Sequence, residues 1–234
     1  MPALSLPPAS PPVVLAADLS SANVEVTTGY SGARISVYGA VLDPAGATAD
    51  VVVVVRGPDE PIAIARRERR AGLWVTGAPQ RVTGAPGFHL TASSGKLSRI
   101  ADPQILRRSG AGLQGVTFSV PGGEAFRQAL LRLRSSEGLY VEDPSGVEFV
   151  DRGLFRAQLR LPASAPVGAY KVDVILFRAG QPIAVRSRVL TIEKVGVERI
   201  ISGFAHKRPW AYGMVSVLMA LVAGWAASAA FRRV

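Results

Sequence analysis

Short runs of β-branched and other apolar residues, separated by Gly, Pro and Asp, fill most of the chain from residue 22 to residue 194. The clearest run, DVVVVVRGP, is apolar on both faces and ends at a turn, as is typical of a strand inside a sheet. In AYKVDVILF the alternation predicts a half-buried strand with Tyr170, Val172 and Val174 inside and Lys171 outside. The pattern therefore predicts many short strands.

The same pattern appears in ANVEVTT, ARISVYGAVL, PIAIARRE, GLWVTG, LFRAQLRLP and PIAVRSRVLTIEK. We predict a mainly β fold, specifically an immunoglobulin-like β-sandwich of one or two lobes. Between its halves, GGEAFRQALLRLRSSEG at about 122–138 predicts one inserted helix, with Phe126, Leu130 and Leu133 on one face and arginines on the others.

The C-terminal stretch from Trp210 to Phe231 holds no charged residue. A helix of this length rises about 33 Å, which matches a hydrocarbon core of roughly 30 Å. Aromatic and basic residues bracket both ends, so a transmembrane helix at 210–231 is a better interpretation than a buried helix of a soluble fold. The residues predicted to anchor it in the membrane are Trp210, Tyr212, Leu218, Leu221, Trp225, Phe231, Arg232 and Arg233.

These features divide the chain into five parts. Residues 1–17 form a proline-rich N-terminal segment or the remnant of a leader, and 18–202 form the β-rich domain. A basic juxtamembrane segment at 203–209 precedes the transmembrane helix, and 232–234 form a short basic tail.

The basic residues that flank the span do not decide on which side of the membrane the domain lies. Four basic residues shortly precede the span and two follow it, so the positive-inside rule alone would keep the domain in the cytoplasm. A cleaved leader would override that bias, and small residues before ADLS fit a cleavage site, although the N-terminus lacks a basic start.

Composition narrows the chemistry. A net charge of +10 makes anionic lipid, acidic proteins and nucleic acid all conceivable partners. The absence of cysteine excludes disulfides, thiolate nucleophiles and zinc–thiolate sites. The densest basic run, RRERR at 66–70, lacks interleaved aromatic residues, so we predict a solvated strand end that contacts a partner protein or anionic lipid, and no nucleic acid.

No motif predicts a reaction. GAGLQG matches the dinucleotide-binding fingerprint by letter, but no strand precedes it and no helix follows, so we interpret it as a loop. His89 and His206 have no metal-ligand spacing, and the acidic pairs in PDEP and EDPSG lie in proline-containing turns. We therefore predict no catalytic, cofactor-binding or metal-binding residue and no cofactor.

Several stretches together resemble a family of alphaproteobacterial transmembrane proteins without an assigned activity: YSGARISVYGA, VVVVVRGP, GLWVTG, LFRAQLRLPASAPVGAYKVDVILFRAG and YGMVSVLMALVAGWAASAAFRR. The resemblance extends over the chain from about residue 18. It implies an exported domain anchored by one C-terminal helix. It also implies a membrane protein as partner, such as a sulfite-exporter-like transporter.

The leading hypothesis is a non-enzymatic, single-pass inner-membrane protein whose periplasmic β-sandwich binds or scaffolds an envelope or transport partner. One alternative is an enzyme that acts on an organic anion with carboxylate and arginine side chains. Another is a cytoplasmic, tail-anchored adaptor with a basic surface. A deep pocket in which Asp or Glu converges with Arg would favour the enzyme over the scaffold.

Overall fold

A computed structural model describes residues 13–26, 32–42, 49–65, 67–70, 72–194, 221–222 and 224–225. The chain divides into two compact units. The first comprises Met1–Val24 and Gly29–Glu193, and the second comprises Glu25–Thr28 and Lys194–Val234.

The described strands are β1 (Val14–Leu19), β2 (Asn23–Val26), β3 (Ala33–Leu42), β4 (Asp50–Arg56), β5 (Ile62–Ile64), β6 (Arg67–Arg70), β7 (Leu73–Thr76), β8 (Gln80–Val82), β9 (His89–Ser93), β10 (Tyr140–Asp143), β11 (Val147–Asp151), β12 (Leu154–Leu161), β13 (Gly168–Arg178) and β14 (Gln181–Lys194). The helices are α1 (Leu97–Ile100), α2 (Pro103–Arg108), the 3₁₀ helix η1 (Leu113–Gly115) and α3 (Gly123–Ser136). The predicted mainly β fold is confirmed.

Two sheets hold most of these strands. The four-stranded sheet has the order β1-β3-β12-β11, and its neighbouring strands are antiparallel. The six-stranded sheet has the order β10-β9-β4-β13-β14-β2, in which β10 and β9 run parallel. Strands β5 and β8 pair with each other, and β6 pairs with β7, as two separate ribbons. The immunoglobulin-like arrangement stays a prediction.

The centre of the six-stranded sheet is the pair β4 and β13. All five valines of residues 51–55 are buried, as expected for an interior strand. Tyr170, Val172 and Val174 of β13 are fully buried, while the Lys171 side chain is 60 % exposed and pairs with Asp173 at 2.8 Å. The alternation read from the sequence is therefore confirmed for this strand.

The two short helices α1 and α2 cover the face of β4 and β13 that carries Val52, Val54 and Ile175. Val52 and Val54 of β4 and Ile175 of β13 pack in one buried cluster with Ile100 and Leu106. The sequence pattern does not predict these helices, because neither is long enough to show a helical period. They make the centre of the sheet buried on both faces.

Helix α3 lies where the inserted helix was predicted, but its packed face differs. Leu130 and Leu131 are buried, whereas Leu133 is 47 % exposed. Arg127 and Arg134 share the packed face with the two buried leucines, at i, i+3, i+4 and i+7 spacing. The prediction that these arginines lie on other faces is wrong.

Polar and aromatic partners explain why α3 packs on its arginines. Arg127 donates to the carbonyl oxygen of Val116 at 2.8 Å and lies 4.6 Å above the Phe118 ring. Arg134 pairs with Glu60 at 3.0 Å. Half-buried guanidinium groups need such partners, and these partners lie outside the helix.

The first described strand, β1, begins before residue 18, where the sequence predicts the start of the β-rich domain. Strand β1 starts at Val14 and pairs with β3 along its full length, and Leu15 and Ala17 are buried. Residues 14–17 thus belong to a strand and not only to an N-terminal segment. The preceding prolines hid this alternation in the sequence.

We expect Val174→Asp to destabilise the domain by roughly 3 kcal/mol or more, because a carboxylate would enter an apolar core without a partner. Lys171→Ala should change stability by about 0.5 kcal/mol or less, because its ion pair with Asp173 is solvated. Urea unfolding of residues 13–193 measures both. Equal changes for the two variants would contradict the packing of β13.

Candidate binding groove

A groove of about 910 Å³ runs along β1, the edge strand of the four-stranded sheet. Strands β1, β3 and β12 contribute most of its lining, Val150 of β11 adds an apolar side chain, and β14 of the six-stranded sheet adds Arg186 and Arg188. The site therefore combines strands that are far apart in sequence.

Registered residues on three adjacent strands form the floor of the groove. Ala16, Ala40 and Leu154 stand opposite one another across β1, β3 and β12. Asp18, Tyr38 and Arg156 form the next such row. Because residues two apart on a strand share a face, both rows lie on one face of the sheet. The small alanines in one row leave a depression between the larger side chains.

Much of this floor is apolar and open to solvent. Val14, Tyr38, Val150 and Leu154 are between 44 % and 68 % exposed. Single exposed apolar side chains are ordinary, but a contiguous group that lines a groove is typical of a binding surface.

Gly39 and Phe155 form a packing pair within the groove wall. A Cβ atom at residue 39 would lie 2.2 Å from the Phe155 ring and 2.6 Å from the carbonyl oxygen of Ala16. Phe155 is buried and also meets Phe149 edge-on, at 6.3 Å between ring centroids. The ring thus covers the glycine, and only glycine fits at this position of β3.

The cationic side of the groove is set by β14. Residues 186, 188, 190 and 192 share one face of this strand, and Leu190 and Ile192 are buried while Arg186 and Arg188 are exposed. Along this face of β14 the apolar core therefore ends at Leu190, and the arginines at 188 and 186 line the groove. The alternation Arg-x-Arg-x-Leu-x-Ile was visible in PIAVRSRVLTIEK, but its connection to β1 was not.

The three arginines of the groove have different partners. Arg188 pairs with Asp18 at 3.3 Å, and Arg156 pairs with Glu148 at 3.1 Å. The Nε atom of Arg186 donates to the carbonyl oxygen of Leu15 at 2.9 Å. Among the described residues, Arg186 has no carboxylate partner, so its positive charge is available to a ligand.

The groove does not have the arrangement that would favour the enzyme hypothesis. Asp18 is the one acidic residue among the described lining residues. Its side chain is 83 % exposed and already paired with Arg188. The lining thus suits binding of an anionic and apolar ligand better than acid–base chemistry.

The GAGLQG sequence comprises the loop that follows α2 and the 3₁₀ helix η1. The amide of Gly112 donates to Thr91 Oγ1 at 3.0 Å, and the amide of Leu113 donates to the Glu142 carboxylate at 2.5 Å. These donors are used by the protein itself, so the loop does not present them to a phosphate. Glu142, one of the candidates for acid–base chemistry, therefore accepts a hydrogen bond that fixes this loop.

The remaining acidic candidates also have partners within the protein. Asp59 pairs with Arg56 at 2.7 Å, and Glu60 pairs with Arg134. Asp143 accepts hydrogen bonds from the amide and hydroxyl of Ser145, which closes a turn. In the described parts of the chain, no group of three or more acidic or histidine side chains is arranged to hold a metal ion.

His89 is buried in β9 beside other polar groups. Its Nε2 atom lies 3.3 Å from Thr91 Oγ1, and its ring meets the Tyr140 ring edge-on. Burial, with a smaller contribution from the positive charge of Arg56, lowers the pKa of His89 to about 4. Burial raises the pKa of Tyr140 to about 12, and its hydroxyl donates to the carbonyl oxygen of Pro86. Both rings are therefore neutral near pH 7.

The predicted membrane anchor lies mostly outside the described residues. This holds for the segments 203–209 and 232–234, and for the anchoring residues Trp210, Tyr212, Leu218, Phe231, Arg232 and Arg233. Leu221 and Trp225 are described as helical, and they are 67 % and 75 % exposed. Within the described residues, no helix combines the length and the apolar character needed to cross a bilayer.

The sequence matches a protein family over residues 14–233, and the family's description is "Putative transmembrane protein (Alph_Pro_TM)". The match begins at the first residue of β1 and runs through the predicted membrane helix. The chain therefore belongs to this family of transmembrane proteins, as its resemblance implied, and the family supports association with a membrane. Comparison with curated proteins gives no match.

The pKa of His89 predicts a loss of stability in acid. Its ordinary pKa of 6.5 holds in the unfolded chain, so between pH 6.5 and about 4 the unfolded state binds the proton first. Stability should fall over this range as pH is lowered, by about 3 kcal/mol in total from this group.

Urea unfolding of residues 13–193 between pH 7 and pH 4 checks this prediction, since the segment contains no other histidine. His89→Gln should show a shallower loss of stability than the unmodified domain, while the titration of carboxylates is common to both. Parallel pH profiles for the two proteins would contradict a buried, neutral His89.

Proposed function

We propose that this family member is a single-pass inner-membrane protein whose β-rich periplasmic domain is a non-enzymatic binding module. Its ligand is an extended segment of an envelope or transport protein, with acidic residues between apolar ones. The observation that carries this proposal is the Arg186 guanidinium, which has no described carboxylate partner and stands beside an apolar floor.

The shape and chemistry of the groove support an extended ligand. It follows an edge strand, and a segment lying along it would place alternate side chains towards Val14, Tyr38 and Leu154. An acidic side chain between them would pair with Arg186. Burial of the apolar side chains supplies affinity, and the charge pair fixes the register.

The membrane part of the proposal rests on other evidence. Membership of a transmembrane family and the uncharged segment from Trp210 to Phe231 support a single anchoring helix. We place Arg232 and Arg233 in the cytoplasm, where they would face the anionic inner leaflet. A membrane-embedded transporter, of the sulfite-exporter-like kind that the resemblance implies, is a suitable partner because both proteins would share one bilayer.

The groove can be tested with a short synthetic peptide that alternates aspartate with phenylalanine and valine. We expect it to bind the detergent-solubilised full chain, measured by isothermal titration calorimetry. Arg186→Gln should weaken binding about 10-fold or more, since a charge-assisted hydrogen bond contributes roughly 1.5 to 3 kcal/mol.

Arg160→Gln is the matched control, because it removes an equal charge from an exposed position of β12 outside the groove. Arg160→Gln should leave binding nearly unchanged. Replacement of aspartate by lysine in the peptide should abolish binding. Equal affinity for the acidic and basic peptides, or equal losses in the two arginine variants, would rule out the proposed role of Arg186.

Sidedness separates the periplasmic module from the cytoplasmic adaptor. A reporter active only in the periplasm should be active when fused after Glu193 in place of the span, and inactive when fused after Val234. The gene is expressed with its native upstream region, so that any leader is included. The opposite pattern would place the domain in the cytoplasm and favour the tail-anchored adaptor.

A further inference from the structure

The basic sequence RRERR contributes to a two-stranded ribbon outside both large sheets. The sequence alone predicts that RRERR is the end of a strand that begins at PIAIA. In the structure β5 ends at Ile64 and pairs with β8, whereas β6 begins at Arg67 and pairs with β7. The basic run is thus the first strand of its own hairpin, which we call the basic hairpin (Arg67–Arg70 with Leu73–Thr76).

The register of the basic hairpin brings cations and an aromatic ring to one face. Arg69 stands directly opposite Trp74, and Arg67 stands opposite Thr76. Since residues two apart share a face, Arg67, Arg69 and Trp74 lie together. The sequence showed no aromatic residue within RRERR, but strand pairing places one beside it.

The apolar side chains of this hairpin are open to solvent. Leu73 and Trp74 are 71 % and 70 % exposed, and Val75 is also exposed. Arg69 donates from Nε to the Gly72 carbonyl oxygen at 3.4 Å, and neither Arg67 nor Arg69 forms an ion pair with a described residue. A short ribbon that exposes tryptophan, leucine and two arginines has the composition of a surface that binds a partner or a membrane.

We propose that the basic hairpin docks on the surface of an anionic lipid bilayer. Trp74, which shares a face with Arg67 and Arg69, and Leu73 beside the turn enter the boundary between head groups and acyl chains, and the arginines pair with lipid phosphates. Charge complementarity favours this occupant, and membership of a transmembrane family places a bilayer next to this chain. The proposal is independent of the ligand of the groove and of the side on which the domain lies.

The chain contains no cysteine, so one introduced residue can be labelled uniquely. Leu73→Cys carrying an environment-sensitive fluorophore reports on the tip of the basic hairpin in the full chain, reconstituted into vesicles. With 30 % phosphatidylglycerol in phosphatidylcholine, we expect blue-shifted emission that reverts in 1 M salt. In pure phosphatidylcholine, the emission should resemble that of an aqueous site.

Replacing both Arg67 and Arg69 by Gln should reduce the docked-to-undocked ratio about 30-fold, because each basic side chain near an anionic surface contributes about 1 kcal/mol. The matched control replaces Arg132 and Arg152 by Gln, which removes the same charge from exposed positions elsewhere and should leave the emission unchanged. A label at Ser164→Cys, in an exposed turn, should not respond to lipid composition.

Three outcomes would overturn the proposal. Emission at residue 73 could be the same in both vesicle types, both arginine pairs could have equal effects, or the Ser164 label could respond as strongly as the Leu73 label. The first outcome would leave a protein as the partner of the basic hairpin. The emission of the label reports docking even if a variant is less stable, provided that circular dichroism shows the β signal of the parent chain.

Discussion

The pairing of β13 with its two neighbours is the constraint on which the rest of the domain depends. On one side β13 pairs with the all-valine segment of β4, and on the other it fixes the register of β14. That register sets Arg188 opposite Val172 and Arg186 opposite Val174. A slip of one residue would turn both arginines away from β1 and bring their neighbours to the core face, so burial of the valines also positions the cations of the groove.

The local pattern of apolar residues was enough to predict the two central strands of the six-stranded sheet. Strand β13 was readable because lysine alternates with buried side chains, and β4 because five valines follow one another. Strand β1 was not readable, since prolines precede it and its alternation is short. Helix α3 was located by its period, but its packed face depends on Glu60 and Phe118, which no local pattern reveals.

The groove could not be predicted for a related reason. Its hydrogen bond from Arg186 to Leu15 joins residues 171 positions apart, and its floor depends on the register of three strands. The net charge was also a poor guide to the binding surface, because several arginines bind groups of the domain itself. Arg56, Arg127 and Arg134 bind carboxylates, carbonyl oxygens and an aromatic ring of the domain itself, so the net charge of +10 does not show which arginines can bind a partner.

The hydrogen bond from Arg186 to the Leu15 carbonyl has a consequence for self-association. Strand β1 is an edge, and an unpaired edge invites strands of other molecules. Arg186 occupies one of its acceptors and places a charge beside it, which discourages unspecific pairing. The proposed acidic ligand, by drawing the guanidinium to its own carboxylate, would release that carbonyl oxygen and make it available to the backbone of the ligand. Under the proposed function, Arg186 would let a strand pair with β1 only when that strand carries an acidic side chain.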